Sequence, residues 1–433
     1  MDPLKAALCC MALMFAMLNL GLPIAYALGL SSVLIGYLVY GAPLLEKVGW
    51  VTFQTVFNPA WIPLPLFTFM GSLVAQTKIG EDLFKATRAW LSRIPGALLV
   101  ATLTAQAGVS ATLGASAPAI LTIGPVALPE LEKFGYSKRR SLGAITCGGV
   151  LGPLIPPSAT AVIISSLANV SLGRLLIACV IPGILLWFLL SSITVISCAR
   201  DTALRHTSQS FAWRERFSSL KRVWPIFVTF IGMLAVIFLG IATVAESAGV
   251  AALLVLILSI CVYGVRMRHI YSAIVNAAKI NAQLMFIIVG ATLFSYVVGS
   301  SVLARQLADV IKDIQVDPVV TVVLIQIILL LLGTFIDGMT IMMITVPIFI
   351  PLAASLGLNP IWFSVLYLVN MEISLITPPM AINFFLVRTV FNITTAELLN
   401  GIFPYLCVVV AFLFILILFP QLSLWLPSLM FEG

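Results

Sequence analysis

Charge is what this sequence has least of. Only 9% of its residues are Asp, Glu, Lys or Arg, against about a quarter in soluble domains, while 61% are hydrophobic. No soluble core can hide that much apolar surface in 433 residues, so lipid must be the solvent for most of the chain. Histidine is nearly missing: His206 and His269 are the only two, both in basic stretches. Haem- or copper-carrying respiratory subunits need histidine inside the membrane, so that class is disfavoured. The seven cysteines, Cys9, Cys10, Cys147, Cys179, Cys198, Cys261 and Cys407, form no Cys-x-x-Cys pair. Nearly all fall in apolar runs and read as small core residues rather than disulfides or a metal site. No nucleotide-binding loop exists, which removes a self-contained ATP-driven pump. No cluster of His, Cys or carboxylates sits at one membrane face, as a membrane enzyme would require. No small-residue cleavage site follows a short apolar stretch near Met1, so the first apolar run is expected to be a retained helix.

Long apolar runs are what the sequence does have. They predict helices over 6–22, 24–41, 61–77, 173–199, 222–241, 246–265, 280–300 and 402–427, with an amphipathic interfacial stretch over 42–60. Two further runs, 96–130 and 317–353, are too short for two spans of about 20 residues each and too long for one. Basic residues flank both ends of the first: Arg93 before it, Lys133, Lys138, Arg139 and Arg140 after it. A segment with both ends on one side must enter and return, as a re-entrant hairpin buried in protein or lining a cavity. About ten spans plus two hairpins, with the N-terminus outside, leave only Lys5, Lys47, Arg174, Arg305 and Lys312 of the 23 Lys and Arg on the outer side. This satisfies the positive-inside rule and places both termini on the extracytoplasmic side. It also explains the net charge of +7 without nucleic acid.

The two halves match. A shift of 222 residues lays Pro125 on Pro347, Pro129 on Pro351, Gly135 on Gly357, Pro156-Pro157 on Pro378-Pro379 and Ala159 on Ala381. A shift of 219 aligns Phe67 with Phe286, Gly71 with Gly290 and Gly80 with Gly299. Residues 1–199 are read as the first repeat, 200–222 as a basic cytoplasmic linker and 223–433 as the second repeat. Each half has five spans and one hairpin, and an odd number of spans inverts the second half. That is the plan of secondary transporters, whose sites lie at the midplane where discontinuous helices meet. The Pro-Pro pairs predict broken helices over 140–165 and 361–388, because two prolines remove two amide donors and clash with the preceding turn. The half-helix after each break presents free amides to an anion, and the unwound carbonyls before it can coordinate a cation. Two cation-type sites and one place for an anionic group are expected.

At these residues the chain resembles a known family, the large membrane subunit of tripartite ATP-independent periplasmic (TRAP) transporters. The likeness covers essentially the whole sequence. It lies in Gly21-Leu22-Pro23-Ile24-Ala25-Tyr26-Ala27-Leu28-Gly29, in Ile123-Gly124-Pro125-Val126-Ala127-Leu128-Pro129 followed by Gly135-Tyr136, and in Leu151-Gly152-Pro153-Leu154-Ile155-Pro156-Pro157-Ser158. Leu332-Gly333-Thr334-Phe335-Ile336-Asp337 and Leu375-Ile376-Thr377-Pro378-Pro379 are the second-half counterparts. The family's first hairpin tip often reads S-G-S, where this chain has Leu113-Gly114-Ala115-Ser116; two glycines usual around the second break are Ser374 and Ala381 here. The resemblance implies an all-α integral membrane, elevator-type transporter in the bacterial inner membrane, with no organic cofactor. It also implies a periplasmic binding protein that captures an organic anion, a separate small four-helix membrane subunit, and sodium as the driving ion. A stand-alone dicarboxylate or citrate carrier with similar hairpins is the alternative.

Under this reading Gly114, Ser116, Gly152, Pro156, Gly333, Asp337, Ser374 and Thr377 are expected at sodium, and Ser158, Glu372 and Asn383 at the substrate. Asp337 and Glu372 qualify because intramembrane carboxylates are costly and usually functional, although a structural pair is the other reading of each. Ser116 and Ser158 can offer hydroxyls or back-bond to their own helix. Asn383 can bind substrate or cross-link helices. Glu246 opens a helix, where dipole stabilisation is expected.

Overall fold

Prolines and polar caps decide where the helices of this chain start and stop. A computed structural model describes residues 3–201, 211–221, 223–299, 317–336, 338–379 and 381–430, and among these every regular element is helical. The first half contains α1 (Pro3–Asn19), α2 (Ile24–Tyr40), α3 (Pro43–Val56), α4 (Pro63–Val74), α5 (Ile79–Leu91), α6 (Ala97–Leu113), α7 (Ser116–Lys133), α8 (Lys138–Gly148), α9 (Ala159–Leu167) and α10 (Leu172–Ala199). After the linker helix α11 (Trp213–Leu220) come α12 (Trp224–Phe238), α13 (Val244–Cys261), α14 (Met267–Gly299), α15 (Pro318–Phe335), α16 (Gly338–Ser355), α17 (Pro360–Ile376), α18 (Ile382–Phe391), α19 (Thr395–Leu418) and α20 (Gln421–Ser428). Pro43 and Pro63 open α3 and α4 from the first turn, where a missing amide costs nothing. Asp317 caps α15 through the Val319 amide at 2.7 Å, and Asn359 caps α17 through Ile361 at 2.9 Å.

The helices α10, α13, α14, α15, α16 and α19 are long and apolar enough to cross a membrane, and a further group of 10–17 residues is shorter and equally apolar. Their outward faces confirm which solvent they meet. Leu38, Ile231, Val250, Leu253 and Leu331 are all exposed large hydrophobics, a surface that only lipid or another apolar protein face tolerates. The buried centre is made instead by α6, α8, α16 and α17. Helices α6 and α7 form one hairpin, turning at Gly114-Ala115, and α15 and α16 form the other. With arms of 17–18 residues, each hairpin arm rises about 25–27 Å, so length alone does not separate a re-entrant arm from a spanning one.

Three sequence expectations need correction. Residues 77–95, left between the predicted 61–77 and 96–130 runs, contain the amphipathic α5, whose charges lower its average hydropathy while Leu83, Phe84, Ala86 and Ala89 are buried. The ion pair of Arg88 with Glu130, at 2.6 Å, ties α5 to α7. Helix α14 begins at Met267 rather than near 280. Its polar residues are cross-links to α4, Asn276 to Ser72 at 3.2 Å and Asn281 to Thr68 at 2.5 Å. The last run is two helices, since Pro420 separates α19 from α20. The basic linker carries the short helix α11. Glu246, as expected, serves a helix start: its carboxylate accepts from the Thr243 amide and hydroxyl, both at 2.8 Å.

Candidate functional site

Both breaks occur at the prolines. In the first half α8 tightens into a 3-10 turn at Gly149–Leu151, unwinds over 152–158 and restarts as α9. In the second, α17 ends at Ile376 and α18 starts at Ile382. The Pro156-Pro157 and Pro378-Pro379 peptide bonds are both cis. Among the described residues no backbone hydrogen bond ends on the carbonyls of residues 153–157 or 377–379, which leaves them free as oxygen ligands.

The first hairpin tip is seated on the first break. Ala159 donates its amide to the Gly114 carbonyl at 3.4 Å. Gly114 sits at φ +62°, where a side chain is strained, and an added Cβ would lie 2.8 Å from the Pro157 carbonyl oxygen. Across the same contact, a Cβ on Gly152 would lie 2.8 Å from both the Ala115 carbonyl carbon and the Ser116 amide. Gly114, Ser116, Gly152 and the Pro156-Pro157 turn are therefore one assembly. Ser158 is also there, but its hydroxyl oxygen caps α9 by accepting from Ala161 at 3.1 Å.

Ser116 connects the halves. Its hydroxyl lies near the Glu372 carboxyl on α17. Glu372 is 2% exposed, and its Oε2 has no partner among the described residues. A buried carboxyl left so incompletely paired is costly unless a cation or a proton completes it. No basic residue does so among the described ion pairs.

The second half is built differently. Gly333 of α15 lies so close to Ser374 of α17 that an added Cβ would overlap the serine hydroxyl. Ser374 itself donates to the Asn370 carbonyl at 3.1 Å, and Thr377 donates to the Ile373 carbonyl at 2.7 Å. These are the back-bonds expected of hydroxyls in helices; they leave the oxygen lone pairs available. Asp337 lies outside the described residues. Asn383 stands in the first turn of α18, 1% exposed, with neither amide atom partnered. The residue at the start of α18, Ala381, supplies no side-chain cap, so this helix end keeps free amides and its positive dipole end.

Three functional candidates escaped the sequence reading. Gln106 on α6 donates to the Ile145 carbonyl on α8 at 2.6 Å. In the second half Asn370 on α17 donates to the Gln326 side chain on α15 at 2.7 Å and to its carbonyl at 2.9 Å. Each hairpin's entering arm is thus pinned by an amide side chain to the broken helix of its own half. An amide within an apolar run was the available signal. The 222-residue shift sets Asn370 against Gly148, where a Cβ would overlap the Gln106 carbonyl oxygen. One half uses glycine to admit the glutamine; the other puts an asparagine there to receive it.

Comparison with known proteins follows the same outline. Residues 11–422 match the family described as tripartite ATP-independent periplasmic transporter, DctM component. The chain is 30% identical, over 403 residues, to the C4-dicarboxylate TRAP transporter large permease protein of Pseudomonas aeruginosa, covering 93% of this chain and 94% of that one. It is 28% identical to the sialic acid TRAP transporter large permease protein of Vibrio cholerae, covering 86% and 87%. With the ectoine/5-hydroxyectoine large permease protein of Ruegeria pomeroyi it shares 26%, over 97% and 98%. Among solved structures, the YdaH transporter of Alcanivorax borkumensis superposes with a TM-score of 0.64 at 15% identity, over 88% of this chain and 90% of that one; that likeness concerns the fold.

Proposed function

We propose that this chain, which belongs to the DctM component family of tripartite ATP-independent periplasmic transporters, takes up a small organic anion by sodium symport. As a member of that family it is a multi-pass membrane permease subunit and not an enzyme. The observation that carries the proposal is the Gly114–Ser116 tip seated on the Pro156-Pro157 break with Ser116 near the buried Glu372. Free carbonyls, a hydroxyl and a carboxyl lie in this region, with no ion pair to Glu372 among the described residues, a donor set that suits a hard monovalent cation.

The two sodium sites use the two breaks. The first takes Gly114, Ser116, Gly152 and Pro156; the second takes Gly333, Asp337, Ser374 and Thr377. Glu372 fits the first cation site better than the substrate, because a carboxylate repels an anion and its Oε2 is unsatisfied. The substrate carboxyl belongs at the uncapped start of α18, where Asn383 can donate. Ser158, already capping α9, retains its hydroxyl proton and one lone pair for a ligand. A cavity between α3, α9 and α14, lined by Trp50, Gln54, Trp61, Asn169, Ser295 and Tyr296, mixes polar and aromatic groups at the far end of the first half-helix. It suits a vestibule from the extracytoplasmic side. The two hairpins with their broken helices then form the elevator, in inverted repeats, within an inner membrane.

The relatives' names mention C4-dicarboxylate, sialic acid and ectoine, and the substrate here is of that kind, a small solute bearing a carboxyl. A periplasmic binding protein and a small membrane subunit complete the system. Proteoliposomes holding all three components should accumulate substrate only under an inward sodium gradient. Uptake by this chain alone, without sodium, would reject the proposal. The ligand that copurifies with the binding protein identifies the anion.

A further inference from the structure

Between α5, α6, α10 and α12 lies a hollow of about 530 Å³, walled by Leu83, Ala107, Ile184, Trp187, Leu220 and Phe227 among others, within the size range of ligand sites. The few polar groups on its wall are already engaged. Trp187 donates to Thr104 at 3.0 Å, Thr104 to the Val100 carbonyl at 2.8 Å, Thr87 to the Ala101 carbonyl at 3.0 Å, and Trp90 to the Arg216 carbonyl at 3.1 Å. An organic anion finds no free donor inside. Hydrocarbon loses nothing there and gains burial.

The rim has the opposite character. Arg216 of α11 lies one turn before Leu220 and is 5% exposed. Its guanidinium sits 5.0 Å from the centre of the Trp213 ring and reaches Ser92 only at 3.5 Å, and its Nε has no partner among the described residues. No ion pair among the described residues involves it: Glu215 accepts from the Ala212 amide, Glu130 pairs with Arg88 and Asp201 with Arg140. The intervening 202–210 contains no Asp or Glu. A buried cation without a counter-ion is strongly disfavoured. Helix α11 also exposes Trp213 and Phe217 beside Arg214 and Lys221, the composition of a helix lying at a headgroup interface.

We propose that this hollow and Arg216 form a glycerophospholipid site, with one acyl chain in the hollow and the phosphate on the Arg216 guanidinium. Guanidinium and phosphate match as a planar donor pair to an oxyanion. The wall includes Ile155 of the first break, so the acyl chain touches the transport machinery.

The test is native mass spectrometry of the permease complex, purified in mild detergent and supplemented with phosphatidylglycerol. Wild type should retain one lipid. Ala107→Trp, which fills the hollow, and Arg216→Gln, which removes the charge, should each weaken retention about tenfold, with Arg216→Lys in between. Equal retention by wild type, Ala107→Trp and Arg216→Gln overturns the proposal. A diazirine-bearing phosphatidylglycerol on wild-type complex provides a readout independent of how the variants fold. Labelling of α5, α6 and α10 peptides supports the site. Labelling elsewhere only, or cross-linking of the small subunit to position 184 in place of lipid, overturns it.

Discussion

Glu372, near the end of α17, and Asn383, in the first turn of α18, each have side-chain atoms without a partner among the described residues. They should separate in function. Glu372→Gln removes the negative charge while keeping shape, so the sodium needed for half-maximal uptake should rise about tenfold, with less change in substrate affinity, as a lost charge-assisted interaction predicts. Asn383→Ala should raise the substrate KM about tenfold and leave the sodium dependence in place. Uptake assays across a sodium series check both, and interchange of the two patterns would reverse their assignment. Both residues were legible as intramembrane polar groups. Their neighbours were not: that Ser116 lies near Glu372 depends on two segments more than 250 positions apart meeting in space.

At the scale of elements, the hairpin-on-break contact is a backbone-to-backbone fit. Gly152 faces main-chain atoms of Ala115 and Ser116, and main chain cannot rotate away as a flexible side chain can. Gly152→Ala should therefore unseat the tip, costing about 1–3 kcal/mol of overpacking strain. Uptake should collapse while the protein still inserts and elutes as wild type. Uptake at wild-type rate would show that the tip is not held here. Proline placement located both breaks, because proline acts locally. Periodicity did not reveal α5, whose apolar face is diluted by Glu81, Asp82, Lys85 and Arg88. Nor did it reveal the Gln106 and Asn370 pins, since an amide can bond any nearby carbonyl and only packing selects which.

For the whole molecule, the orientation inferred from Lys and Arg places both termini on the extracytoplasmic side. Single cysteines added near each terminus of a cysteine-free version should react with an impermeant maleimide in intact cells. The native background must be removed first, since Cys9, Cys261 and Cys407 are exposed. Protection of either terminus until the membrane is permeabilised would overturn the orientation. The sequence by itself determined that the chain lives in lipid, that its halves echo one another and where its helices must break, because hydropathy, repetition and proline chemistry need only near neighbours. Tertiary structure decided which groups meet: the tip on the break, Ser116 near Glu372, and an apolar hollow rimmed by an arginine without a counter-ion among the described residues. Those depend on close packing between distant segments, where a glycine or an amide has meaning only through what stands opposite it.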